Sequence, residues 1–191
     1  MKFETIGNAT LIVYENSMPL LATDVWFHED DAYYGSWRTS HEIPPDQVNA
    51  ILKCPYIFIS HFHPDHLNLK SLKKLKESTI FVGDHYKSRV EKDLRRLGFK
   101  VISLPPKKWI SVGSKVRIML FCNHLQDTAL LIECIDNSGI KSLIINLNDS
   151  LGIGFSKEIS SISKKYKNSF YLSLHGYGDA DMINLFKMNG N

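Results

Sequence analysis

Short runs at residues 2–6, 10–14 and 20–23 mark the first part of the chain, the first alternating between hydrophobic and polar positions and the others β-branched or apolar. Gly7-Asn8 and Asn16-Ser17 separate them, and both pairs favour turns, so the pattern predicts three strands with tight connections. Beyond residue 55 the period changes. Apolar runs at 56–60, 79–82 and 100–104 predict strands. Between them, Leu67, Leu69, Leu72 and Leu75 fall near helical spacing, and 86–97 reads as a helix stopped by Gly98. A shorter helix is expected from Pro44-Pro45-Asp46 through Lys53. Pro105-Pro106 opens a connector. Runs at 115–121, 128–135 and 142–147 then predict strands, the last two joined by Asn137-Ser138-Gly139, before a helix at 156–166 and a final strand at 170–174. Strands outnumber helices too far for a simple doubly wound sheet, so the expected class is α/β with several antiparallel pairs.

Residues 24–41 fit neither period. They are aromatic and irregular (Trp26, Phe27, Tyr33, Tyr34, Trp37, with Gly35 inside), as expected of a flap over a site or a plug over the core.

Composition adds limits. With 191 residues, 43% of them hydrophobic, the chain reads as one globular domain, 1–191, and disorder and coiled coil are excluded. Against 20 acidic residues stand 23 Lys and Arg, a net charge of +3, too weak to argue for nucleic acid. The lysines at 70–76 and 164–167 read as solvated helix faces. No apolar run approaches the ~20 residues of a membrane span, and Glu133 breaks the longest. Cys54, Cys122 and Cys134 have no CxxC spacing, and Met1-Lys2-Phe3-Glu4 is unlike a secretory signal. Reduced thiols and a cytoplasmic location are expected.

Chemistry concentrates in Ser60-His61-Phe62-His63-Pro64-Asp65-His66, directly after a predicted strand. Three imidazoles and a carboxylate this close are costly to bury unless a cation joins them. Divalent metals bind histidine nitrogen and aspartate oxygen, zinc at ~2.0–2.2 Å. His61 and His63, two apart, can grip one ion. Asp65 and His66, turned by Pro64, can face a second beside it.

HxHxDH at a strand end resembles the metallo-β-lactamase superfamily. The stretch around Asp24, with Gly35-Ser36-Trp37, Asp127-Thr128 and Asn146-Leu147-Asn148-Asp149, resembles its branch of ascorbate-6-phosphate lactonase-like and CMP-sialic acid hydroxylase-like proteins. Val25 stands where that branch carries proline. The resemblance, which runs to about Asp149, implies an αββα sandwich and two divalent metal ions, with zinc expected and iron or manganese open. It implies His61, His63 and His124 on one ion, with Asp127 competing for the last place, and Asp65, His66 and His175 on the other. Asp149 would bridge them, and Asp24 would hold a metal-bound histidine from behind. The chain stops at Asn191, soon after His175, so either an abbreviated C-terminal layer or the metal-binding portion of a longer polypeptide is expected.

Two such ions can hold a bridging hydroxide and polarise an ester, lactone, amide or phosphoester, a metal-dependent hydrolase with Asp65 and His66 as catalytic residues. Iron in the same ligands supports a diiron oxygenase, and a metal-binding domain without turnover is a third reading. Trp26, Trp37 and Arg38 are candidates to hold a small anionic substrate at the rim. His28, His41 and His85 read either as pocket residues or as surface.

Overall fold

Alternation along each strand sorts its side chains between two faces, and three apolar layers result. In the computed structural model residues 2–27, 32–39, 41–84, 86–124, 126–150 and 154–173 are described. The first sheet has the order β1 (Lys2–Thr5), β2 (Leu11–Glu15), β3 (Met18–Thr23), β4 (Tyr56–Ile59), β5 (Thr79–Gly83) and β6 (Lys100–Leu104). The second runs β11 (Asn168–Leu172), β10 (Lys141–Asn146), β9 (Thr128–Ile135), β8 (Val116–Cys122) and β7 (Ile110–Ser111). β3 to β6 are parallel, so the ends of β3, β4 and β5 open on one edge of the sandwich.

Phe58 of β4 points inward and packs with Ile118, Leu130, Ile132 and Ile144 of the second sheet. Its neighbours Ile57 and Ile59 point outward, against Ile51 of α1 (Pro45–Leu52), Leu72 of α2 (Leu69–Lys73) and Leu94 of α3 (Arg89–Arg96). On the far side Leu131 and Leu143 pack against Phe155 and Ile159 of α4 (Ser156–Ser163). The order of layers is αββα. β9 is covered on both faces, which accounts for its near-continuous apolar run.

Several boundaries differ from the sequence pattern for identifiable reasons. The helix expected over 86–97 begins only at Arg89, because Lys87 and Ser88 adopt φ of +63° and +48°. The leucine segment yields a shorter α2, opened by Asn68, whose side chain accepts the N–H of Ser71 at 2.9 Å. α4 stops at Ser163, short of residue 166. β7 is new: two residues inside the expected connector are too few to show a period. The last strand is β11, and Leu174 lies outside the described residues.

Glu133, the acid in the middle of β9, is 1% exposed. Arg117 sits directly across the ladder, its Nη2 donating to Glu133 Oε2 at 2.8 Å and its Nε forming an ion pair 2.7 Å from Oε1, while the Tyr166 hydroxyl also donates to Oε2. Trp109 lies under the guanidinium, 4.7 Å from its carbon. Burial alone would raise the Glu133 pKa, but the hydrogen bonds from Arg117 and Tyr166 hold it below 4.5. A depressed folded-state pKa adds stability above the unfolded value and loses it as pH falls through the folded one. Glu133→Gln should therefore cost about 1–3 kcal/mol near neutral pH. The gap to wild type should shrink below about pH 4, as denaturant unfolding at the two pH values will show.

Candidate metal centre

β4 ends at Ile59, and the loop that follows is folded tightly by its own backbone. The N–H groups of His66 and Leu67 both donate to the His63 carbonyl, at 2.9 and 2.7 Å, in the turn that Pro64 initiates. The Asn8 amide, from the β1–β2 connection, donates to the Asp65 carbonyl at 3.0 Å. His61, Asp65 and His66 are thereby buried, His63 is half-buried, and Phe62 points out to solvent.

The histidines meet Asp149, in the turn after β10. His61 Nε2 is 2.8 Å from His63 Nδ1 and 3.4 Å from Asp149 Oδ2. His66 Nε2 is also 3.4 Å from Asp149 Oδ2, and 3.5 Å from Asp65 Oδ2. Ligand atoms of His61, His63 and Asp149 all lie within 4.8 Å of one another, a group of a size to hold one ion. Asp65 Oδ1 is buried with no hydrogen-bond partner. Nitrogen and carboxylate donors in this number, with one buried oxygen unsatisfied, fit a divalent cation.

Asp24 stands behind them. It is wholly buried with φ of +42°, held by its N–H to the Phe58 carbonyl (2.8 Å) and by Thr10 Oγ1 donating to its own carbonyl (2.8 Å). Its Oδ1 accepts the Ser60 N–H at 2.7 Å, and its Oδ2 lies 3.2 Å from His66 Nδ1, off the line of a hydrogen bond. Burial would lower the His66 pKa, yet the carboxylates of Asp24, Asp149 and Asp65 beside it carry it up to about 10. Hydrogen bonds from His61 and His66 hold Asp149 far below the usual carboxylate range. Burial and the neighbouring His61 lower His63. Three carboxylates converge on His66, and they demand positive charge there, whether from a proton or from a metal ion.

Other expected residues are placed less centrally. His124 is exposed in the turn after β8 and outside the convergent group, although its neighbour Asn123 ties that turn to the Ser150 carbonyl at 3.5 Å. Asp127 accepts a hydrogen bond from Asn123 at 3.2 Å. His175 lies outside the described residues, as do His28 and His85. His41 is exposed, and its ring closes over Gly7. Trp26 is 2% exposed, with no open face toward solvent, while Trp37 is half-buried and Arg38 exposed. Tyr33 belongs to the aromatic segment expected as a flap or plug, with no role of its own assigned there. Its ring is 4.9 Å from Trp37 and 6.5 Å from His63, and burial, the Asp65 charge, a hydrogen bond to Asp65 and the Asp149 charge all raise its pKa. Tyr33 and Tyr34 have positive φ, a conformation that nothing in their identity announces.

Solved structures share the helix, sheet, sheet, helix arrangement. An isothiocyanate hydrolase from Delia radicum gut bacteria superposes with a TM-score of 0.62 at 17% identity, covering 88% of this chain and 70% of that one. A putative metal-dependent hydrolase from Parabacteroides distasonis gives 0.54 at 12% identity, covering 99% and 88%. The chain shares the αββα fold of these two structures. No family model matches it. In sequence it is similar to cytidine monophosphate-N-acetylneuraminic acid hydroxylases. The protein of Asterias rubens is 32% identical over 124 residues, 60% of this chain and 19% of that protein. The hamster protein (Cricetulus griseus) is 30% identical over 112 residues, 53% and 20%. The match spans about a fifth of the length of these relatives. Among the described residues no helix is long and apolar enough to cross a membrane.

If Asp24 orients His66 from behind a bound ion, Asp24→Asn should weaken metal affinity by roughly 10–100-fold while the circular dichroism of the folded protein stays unchanged.

Proposed function

We propose that the protein is a metal-dependent hydrolase with a dinuclear site, acting on a small ester, lactone, amide or phosphoester, with zinc the expected metal. The position of Asp149 carries the reading. Its Oδ2 is equidistant, at 3.4 Å, from His61, which pairs with His63, and from His66, which pairs with Asp65. One carboxylate oxygen between two such pairs is the place for a bridge, since its negative charge offsets repulsion between two cations. His61 and His63 would hold one ion, Asp65 and His66 the other. His124 and His175 are the proposed further ligands, each joining the pair that lacks a third group.

Bound there, divalent ions supply Lewis acidity and a water acidified from ~15.7 toward ~7. The chain's own residues do the rest. Asp65 Oδ1, buried and without a hydrogen-bond partner, is the atom assigned to orient the attacking water and receive its proton. Tyr33 keeps its phenolic proton and donates to Asp65, fixing that carboxylate. Trp37 and Arg38 line the rim, where a guanidinium can take a phosphate or carboxylate in two parallel hydrogen bonds. Trp26, closed to solvent, serves as cover.

A second reading is a diiron oxygenase on the same ligands. The sequence likeness to cytidine monophosphate-N-acetylneuraminic acid hydroxylases favours it. Histidine and carboxylate donors accept zinc or iron alike, so the metal discriminates.

Elemental analysis of protein purified without chelator should find two divalent metals per chain. Zinc with turnover of an activated ester supports the hydrolase; iron with substrate-dependent oxygen uptake supports the oxygenase. A metal content near zero overturns both. Once a substrate is known, Arg38→Lys should raise KM for anionic substrates and leave neutral ones unchanged in steady-state assays.

A further inference from the structure

Ser60 ends β4 and is 1% exposed. Its hydroxyl oxygen is 2.9 Å from His61 Nδ1 and 3.3 Å from His66 Nδ1, and the two rings lie 4.1 Å apart. Both imidazoles are therefore held in the same sense: Nδ1 faces Ser60 and Nε2 faces Asp149. A neutral imidazole carries one N–H, so an Nε2 free to bind metal requires the proton on Nδ1. A hydroxyl oxygen has two acceptor lone pairs, enough to receive both Nδ1–H groups at once. His61 and His66 belong to different members of the proposed metal pair.

We infer that Ser60 is a positioning residue that fixes the tautomer of one histidine from each metal position through a single oxygen atom. This rests on the dinuclear reading above. The two histidines depend on Ser60 unequally. Among the described residues Ser60 is the sole hydrogen-bond partner at His61 Nδ1, whereas His66 Nδ1 also has Asp24 Oδ2 at 3.2 Å. Asp24 in turn accepts the Ser60 N–H at 2.7 Å, so it fixes the hydroxyl's backbone as well as the second imidazole. Loss of the hydroxyl should leave His61 without support and His66 with its carboxylate.

Zinc titration of chelator-treated full-length protein by calorimetry tests this. Wild type should show two binding events. Ser60→Ala should weaken one by about 10–100-fold and hold the other within about threefold, and Ser60→Thr, which keeps the hydroxyl, should restore both. Asp24→Asn should weaken the other event. Anomalous diffraction from Ser60→Ala crystals at limiting zinc should place the retained ion at Asp65 and His66. Equal weakening of both events, no weakening, or an ion retained at His61 and His63 overturns the role of Ser60. Absence of zinc binding by the wild type overturns the dinuclear reading itself and is read before any variant is made.

Discussion

The site depends on one constraint: three carboxylates and three imidazoles are gathered together, all but half-buried His63 and exposed Asp149 buried, and negative charge there must be neutralised. Asp24 is the extreme member. It is wholly buried, in a left-handed conformation that aspartate adopts at a cost, and is held by Thr10, Phe58 and Ser60. Strain of this kind persists only where the surroundings over-determine it. Here the ends of β3 and β4 do so, and the result is a carboxylate aimed at the back of His66. The front of the same ring faces Asp65 and Asp149.

The scaffold delivers these groups by topology. Parallel strands β3 and β4 bring Asp24 and the HxHxDH loop to one edge, and the adjacent sheet brings Asp149 from the end of β10. Inner packing of Phe58 against Ile132 and Ile144 fixes the spacing between the sheets, and so between His61 and Asp149. A cavity in that layer would be felt at the site as a shift of the carboxylate.

How much of this was legible in the sequence follows from how local each feature is. HxHxDH needs no tertiary information, because four ligand-type groups lie within six residues after a visible strand. The alternation of β4, β5 and β6 with helices along the chain was equally plain from the change of period, though their order in the sheet was not read from it. Asp149 was singled out because the resemblance places a bridging aspartate after the strand at 142–147; an aspartate closing a strand would not by itself have suggested it. Ser60 stood in view beside the motif, yet a serine at a strand end is too common to suggest that it touches two histidines. The aromatic flap was visible, but the contact of Tyr33 with His63 and Asp65 was not: it is made through two successive positive-φ residues, which glycine would have signalled and tyrosine does not. His124 shows the limit of placement by position, since the turn after β8 decides where a side chain points and the period of its strand does not.

Charge then limits what such a centre can bind. Under the proposed loading, two divalent ions bring four positive charges against the three carboxylates of Asp24, Asp65 and Asp149, which leaves one positive charge among largely buried groups. No side chain among the described residues relieves that charge, since His61, His63 and His66 then serve as neutral ligands and Tyr33 holds its proton; a bound water that gave up its proton would. Before that proton is lost the complement is an anion, which the proposed rim residues, half-buried Trp37 and exposed Arg38, would meet first. Hydrolysis of an ester or phosphoester makes a carboxylate or phosphate product, so the same charge that draws an anionic substrate in also slows the product's departure. A cation at the rim, partly screened by solvent, suits both steps: it adds attraction at a distance and gives up its partner more readily than a buried one.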